Sequence, residues 1–229
     1  MMKSIVVAGL FAAGALAAQA ADAATTVNIK WQGLDTSGVK LSTMDTTLSS
    51  TVPVTSNYAT TALNYSYADT GTSFIAYCIE PSQGNGRANI TRSYGVESFT
   101  GVQAQNLQGL FSTAYAGLST YNDKAAFQLA VWEMVLETGS ALDVTTGSFH
   151  LSSTDTTSAA VASEANSFLA NALAYKGPAL YTLTKLTNPQ LQDLVTATPL
   201  SAVPEPESYA LFLSGLGVVG LLARRRMPR

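Results

Sequence analysis

The stretch SFIAYCIE, Ser73 to Glu80, decides how the rest of the chain is read. It is apolar at nearly every position, which is the pattern of a strand covered on both faces. Cys78, near its end, is the only cysteine in 229 residues, and His150 is the only histidine. A disulfide within the chain is excluded by that count, and one Cys with one His does not make a zinc site. The residues call for no metal and no cofactor.

Working outward, three alternating, β-branched segments precede this strand: TTVNIKWQGL at 25–34, VKLSTM at 39–44 and NYATTALNYSYA at 57–68. Each reads as one strand. The Ser/Thr-rich TTLSSTVPVTS between the second and third, with Pro53, reads as an exposed connection. After the cysteine strand, Gly84-Asn85-Gly86 signals a turn and SYGVESF, 93–99, another strand. Thr100 is placed to cap a helix with Val102, Leu107, Leu110, Phe111 and Ala114 on one face. A second helix, KAAFQLAVWEMVLETG, is expected to be capped by Asn122 or Asp123 and stopped by Gly139, with Phe127, Val131, Met134 and Val135 inward. A third spans about 156–176 before Gly177-Pro178, and strands follow at 179–186 and 191–197. The order predicts an α+β fold: a mainly antiparallel sheet with two or three packed helices.

Both ends differ from this middle. MMKSIVVAGLFAAGALAAQA opens with Lys3, continues as an uncharged apolar run and ends in Ala18-Gln19-Ala20, the small-x-small pattern that signal peptidase cuts after. From Val203 the chain reads VPEPESYALFLSGLGVVGLLARRRMPR. Pro204-Glu205-Pro206 favours an extended, accessible backbone. Ser208 to Ala223 carries no charge and is marginally short for a membrane span, and Arg224, Arg225 and Arg226 would hold the end on the cytoplasmic side. The expected organisation is a signal peptide at 1–20, one exported domain at 21–200 and a sorting segment with a hydrophobic helix at 201–229.

Pro204-Glu205-Pro206, the apolar segment and the arginines, in that order, resemble the PEP-CTERM sorting signal of exported proteins in Gram-negative bacteria that also make extracellular polysaccharide. That resemblance implies processing by a membrane-embedded exosortase after a transient membrane anchor. The destination it implies is the cell surface or the extracellular space.

The net charge is −3, only 12% of residues are charged, and no basic cluster lies outside the terminal signal. A nucleic-acid partner is excluded on that ground, because phosphate binding needs a basic face. His150, in GSFHLSS, has no supporting motif for a Cys–His enzyme and reads as a surface or strand-end residue. Glu133 and Glu137, one helical turn apart, read as a solvated helix face rather than an acid–base pair. No residue is assigned a catalytic role, and the protein is not expected to be an enzyme.

YCIE, Tyr77 to Glu80, and AFQLAVWE, Ala126 to Glu133, resemble the two halves of the bacterial surface thioester domain. There a Tyr-Cys-(Val/Ile) strand meets a Gln-x-Ala-(Ile/Val)-Trp helix. The resemblance implies Cys78 as the sulfur partner and Gln128 as the carbonyl donor of an internal thioester, with Tyr77, Ala130, Val131 and Trp132 supporting the motif. Phe127 departs from the family, in which Thr commonly precedes the Gln. Two functions follow as expectations: covalent attachment to an amine-bearing surface or polysaccharide matrix, or a non-covalent structural part of the envelope or biofilm matrix with Cys78 as a core thiol.

Overall fold

The computed structural model describes residues 25–36, 38–45, 55–139, 141–152, 155–200 and 212–216. The expected signal peptide, the Pro53 connection, Pro204-Glu205-Pro206 and the three arginines lie outside the described residues. Among those described, no helix is long and apolar enough to cross a membrane.

Among the described residues, nine strands and the three α-helices packed with them make an α+β fold in which every strand pairing is antiparallel. Six strands close into a barrel in the order β1 (Thr26–Leu34), β4 (Leu63–Tyr67), β5 (Ser73–Cys78), β9 (Leu194–Pro199), β8 (Tyr181–Thr187) and β6 (Thr91–Glu97), which returns to β1. Closure leaves the barrel strands no free edge. A separate sheet runs β3 (Thr55–Thr60), β2 (Val39–Asp45), β7 (Phe149–Leu151).

Directly paired residues share a face of a sheet, so the registers sort the barrel's side chains. Ile29, Leu63, Tyr65, Ala76, Cys78 and Leu194 fall on one face and all are buried: they fill the interior. Tyr77 falls on the other, where its ring meets Phe111 and Phe127 from the helices.

The helices α1 (Gly101–Ala114), α2 (Tyr121–Leu136) and α3 (Thr156–Ala174) pack on one another. α2 also touches β5 of the barrel and all three strands of the second sheet. It is enclosed on every side, and residues 125–134 are all buried. This corrects the expectation of one apolar face, and an enclosed helix needs apolar residues all round. Its cap is Thr120 rather than Asn122 or Asp123. Thr120 Oγ1 accepts from Asp123 N at 3.1 Å and Asp123 Oδ2 accepts from Thr120 N at 2.9 Å, a reciprocal capping box. The Thr120 hydroxyl beside it holds the Asp123 carboxyl well below its ordinary range.

The expected single strand at 57–68 is two strands in different sheets. Thr60, Thr61, Ala62 and Leu63 are buried in succession where the chain crosses from β3 to β4, and Asp35 N donates to Ala62 O at 2.9 Å to hold the crossing. Both halves are rich in the same Tyr, Thr and Ala, so the composition does not mark the break.

Candidate functional site

Register explains why Cys78 has main-chain groups to spare. The β4–β5 ladder ends at Leu63 with Ala76, so Cys78 lies two residues past the last β4 partner. On its other side β9 pairs it with Leu194, and Ile79 N donates to Asp193 O at 2.9 Å. Amide groups alternate in direction along a strand, which leaves the N–H and C=O of Cys78 facing the empty β4 side. Buried main-chain groups need partners.

Gln128 of α2 supplies both. Its Oε1 accepts from Cys78 N at 2.9 Å and its Nε2 donates to Cys78 O at 2.7 Å. The side-chain amide stands where a strand residue would stand. This reciprocity also settles which amide atom is which, since an N–H can pair only with oxygen and a C=O only with nitrogen. The strand and helix halves, 50 residues apart in sequence, are thus joined by two hydrogen bonds.

Water is nearly excluded: Cys78 is 4% exposed and Gln128 1%. Burial pushes the Cys78 thiol up to about 12, although the Trp132 indole and the Glu80 main-chain amide favour the thiolate and oppose that rise. The side chain is therefore a protonated thiol at neutral pH. Trp132 lies one turn after Gln128 on α2; its buried Nε1–H acts on the Cys78 sulfur but makes no hydrogen bond of good geometry among the described residues.

Cys78, Gln128 and Trp132 line one cavity of about 380 Å³. Trp31 and Leu63 from the barrel strands line it too, together with the turn at Gly84-Asn85-Gly86. That turn is tied across the barrel mouth: Gln192 N donates to Gly84 O at 3.1 Å, and Asn85 Oδ1 accepts from Tyr65 Oη at 2.9 Å and from Gln192 Nε2. Gly86 has φ +75°, a backbone conformation that favours glycine, and a Cβ there would also crowd Leu191 Cδ2 at 3.0 Å.

The remaining motif residues frame the pair. Ala130 and Val131 are fully buried on α2. Phe127 fills an aromatic cluster at 4.7 Å from Tyr77, 5.0 Å from Phe111 and 5.9 Å from Tyr115, measured between ring centroids. Packing on the outer face of β5 accounts for a ring at this position.

Two sequence readings are corrected or refined here. Glu133 is 0% exposed rather than solvated: its Oε1 accepts from Asp143 N at 2.8 Å and its Oε2 has no partner among the described residues. Burial, reinforced by Glu137 and Asp143, raises its carboxyl to about 8. Glu137 organises the loop after α2, accepting from Ser148 N at 2.7 Å and Phe149 N at 3.1 Å. His150 lies in β7 with Nδ1 3.0 Å from Gly147 O, away from the cavity lining. Among the described residues no cluster of His, Cys, Asp and Glu is arranged for a metal ion. Trp31, Asn85 and Gln192 escaped sequence reasoning. The Gly-Asn-Gly turn was visible, but nothing local tells that it folds over a barrel mouth.

Residues 202–226 match the family described as the PEP-CTERM protein-sorting motif, so the chain carries that motif. No curated protein matches the chain. Among solved structures it is similar to the N-terminal domain of the Streptococcus pyogenes pilus tip adhesin Cpa, at 15% identity and TM-score 0.43, over 75% of this chain and 98% of that one. It is similar also to the N-terminal thioester domain of a surface protein from Clostridium perfringens, at 14% identity and TM-score 0.43, over 76% and 99%. A third is the thioester domain of the Staphylococcus aureus TIE protein, at 10% identity and TM-score 0.41, over 79% and 80%. At such scores these likenesses carry no argument about the chemistry of this chain.

Proposed function

We propose that the chain is an exosortase-sorted surface protein whose exported domain, about residues 21–200, forms an internal thioester between Cys78 and Gln128 and uses it to attach once to an amine-bearing surface. The sorting part draws on the motif at 202–226. Signal peptidase would cut after Ala20, and the exosortase near Pro204-Glu205-Pro206, with Arg224, Arg225 and Arg226 retaining the intermediate at the inner membrane.

One observation carries the covalent part: the buried carboxamide of Gln128 is bonded through both its atoms to the main chain of Cys78, the residue that bears the only thiol, and both residues line one cavity. In the forming step the sulfur of Cys78 adds to the side-chain carbonyl carbon of Gln128. The carbon–nitrogen bond then breaks, and ammonia leaves with the thiol proton. Cys78 N–H already donates to the carbonyl oxygen, where negative charge would develop. A protonated, buried thiol is a weak nucleophile in the open, but fixed proximity replaces a bimolecular encounter. Burial also protects the product, because water is nearly excluded from both residues. In the attaching step an amine adds to the same carbon, the carbon–sulfur bond breaks, and the amine's proton returns to Cys78. An amide to residue 128 remains, and no turnover follows.

The non-covalent structural reading keeps one observation in its favour, since Gln128 also satisfies the strand-end groups of Cys78. Methylamine separates the two. The covalent reading expects the wild-type full chain to take up one methylamine at residue 128 and expose one thiol, while Cys78→Ala and Gln128→Ala take up none. A wild-type chain that takes up no methylamine and has a titratable thiol from the outset belongs to the structural reading.

A further inference from the structure

The cavity beside Cys78 and Gln128 has a lining that discriminates among amines. None of the described residues around it is charged. Two are tryptophans, Trp31 and Trp132, and the indole N–H of each is buried and makes no hydrogen bond of good geometry among the described residues. The carboxamides of Gln83, Asn85 and Gln192 border the same space, as do the hydroxyls of Thr60 and Thr61. At about 380 Å³ the cavity lies in the range of small-molecule sites and is far wider than one unbranched alkyl chain fills.

We infer that this cavity admits a weakly basic amine carried on a hydroxylated ring, the free amine of an amino sugar in a polysaccharide, in preference to the amine of a protein lysine. The inference rests on the thioester reading and specifies its target. Two physical arguments support it. The first is complementarity: the buried indole donor of Trp31 lacks an acceptor and that of Trp132 has at most the weakly accepting Cys78 sulfur, ring hydroxyls provide better ones, and the apolar surface of the two indoles suits the apolar face of a sugar ring. Beyond their bonds to Glu80, Tyr65 and one another, the carboxamides keep donor and acceptor capacity that hydroxyl groups can use and a lysine stem cannot.

The second argument is protonation. Only a neutral amine attacks a carbonyl carbon, and the lining holds no carboxylate to take a proton from an ammonium. The carboxylates that act on Cys78 are engaged elsewhere: Glu80 Oε1 accepts from Gln83 Nε2 at 2.8 Å, and Asp193 Oδ1 accepts from Asn188 N at 2.8 Å. A lysine amine, with a pKa of about 10.4, is neutral in fewer than about one molecule in a thousand at pH 7. Electronegative oxygens on the neighbouring carbons of an amino sugar lower its amine towards neutrality. The neutral fraction available to the cavity is correspondingly larger. The bond-making step is otherwise unchanged: the sugar nitrogen bonds to the Gln128 carbonyl carbon, the carbon–sulfur bond breaks, and the displaced proton restores the Cys78 thiol.

The test uses the full chain, purified in mild detergent and first treated with methylamine in one aliquot to establish that a thioester is present. Other aliquots at pH 7 receive a fully deacetylated glucosamine trimer or, at equal amine concentration, Nα-acetyl-lysine amide, and adducts are followed by intact mass. The expected result is capture of the trimer at least about tenfold faster, a ratio of the size that matched polar contacts supply. The fully N-acetylated trimer, which has no free amine, forms no adduct and slows methylamine capture. Trp31→Ala lowers the trimer-to-lysine ratio. Equal rates, or a faster lysine compound, overturn the inference while leaving the thioester in place. Absence of any methylamine adduct instead overturns the thioester reading itself, and the target assignment falls with it.

Discussion

At the residue scale, Glu133 is chemically an ordinary glutamate placed where its usual charge is costly. The unfolded chain releases its proton near 4.5, whereas burial keeps the folded carboxyl protonated to about 8. Across that interval the folded state holds a proton that the unfolded state has lost. The stability contributed by Glu133 is therefore complete below about pH 4.5 and is lost as pH rises towards about 8. Glu133→Gln keeps an acceptor for Asp143 N and removes the titration. Thermal melting of this variant is expected to depend less on pH between about 5 and 8 than that of the wild type, and to lie higher near pH 8. Superimposable profiles would contradict the assignment. Its neighbours AVWEMV gave a hint, since a carboxylate in an apolar run is seldom solvated on all sides. Cys78 was more legible: an apolar strand ending in a lone thiol reads as buried, and it is. What could not be read was its spare main-chain pair, which exists only because β4 begins too late to cover it.

At the element scale, the clearest constraint is where α1 meets α3. A Cβ built on Gly109 would lie 2.3 Å from Ala172 O, a main-chain atom that cannot swing aside. Overpacking of this kind costs about 1–3 kcal/mol. Alanine in place of glycine returns up to about 1 kcal/mol of helix propensity. Gly109→Ala should therefore lower the unfolding midpoint in denaturant with little change in slope, and an unchanged or raised midpoint would show that the helices can separate at no cost. Helices and strands were mostly readable, because Gly177-Pro178 and the alternating runs act locally; Thr100 stands at the N-cap of α1 as expected, but its side chain makes no capping hydrogen bond. The failures share one cause: tertiary surroundings outweigh local pattern. α2 lost its expected solvent face because a second sheet covers it, and the strand at 57–68 divided because its two halves serve different sheets. β7, three residues long, exists only through its pairing with β2.

At the scale of the whole molecule, barrel, second sheet and helix trio serve to bring strand end and helix together at one cavity. Antiparallel character followed from the order of strands and helices, but barrel closure depends on β6 returning to β1, and no local pattern encodes that pairing. The carboxyl end is the reverse case: the sorting motif at 202–226 is a linear pattern, legible without any fold. The central claim is that an exported chain cut at both ends carries a Cys78–Gln128 thioester. The intact mass of the protein recovered from its own producing cells tests it most directly. The expected mass is that of a chain beginning after Ala20 and ending near Pro204-Glu205-Pro206, less about 17 Da for the ammonia displaced by the thiol. A mature chain at its full calculated mass, with Cys78 open to alkylation on unfolding, would contradict it.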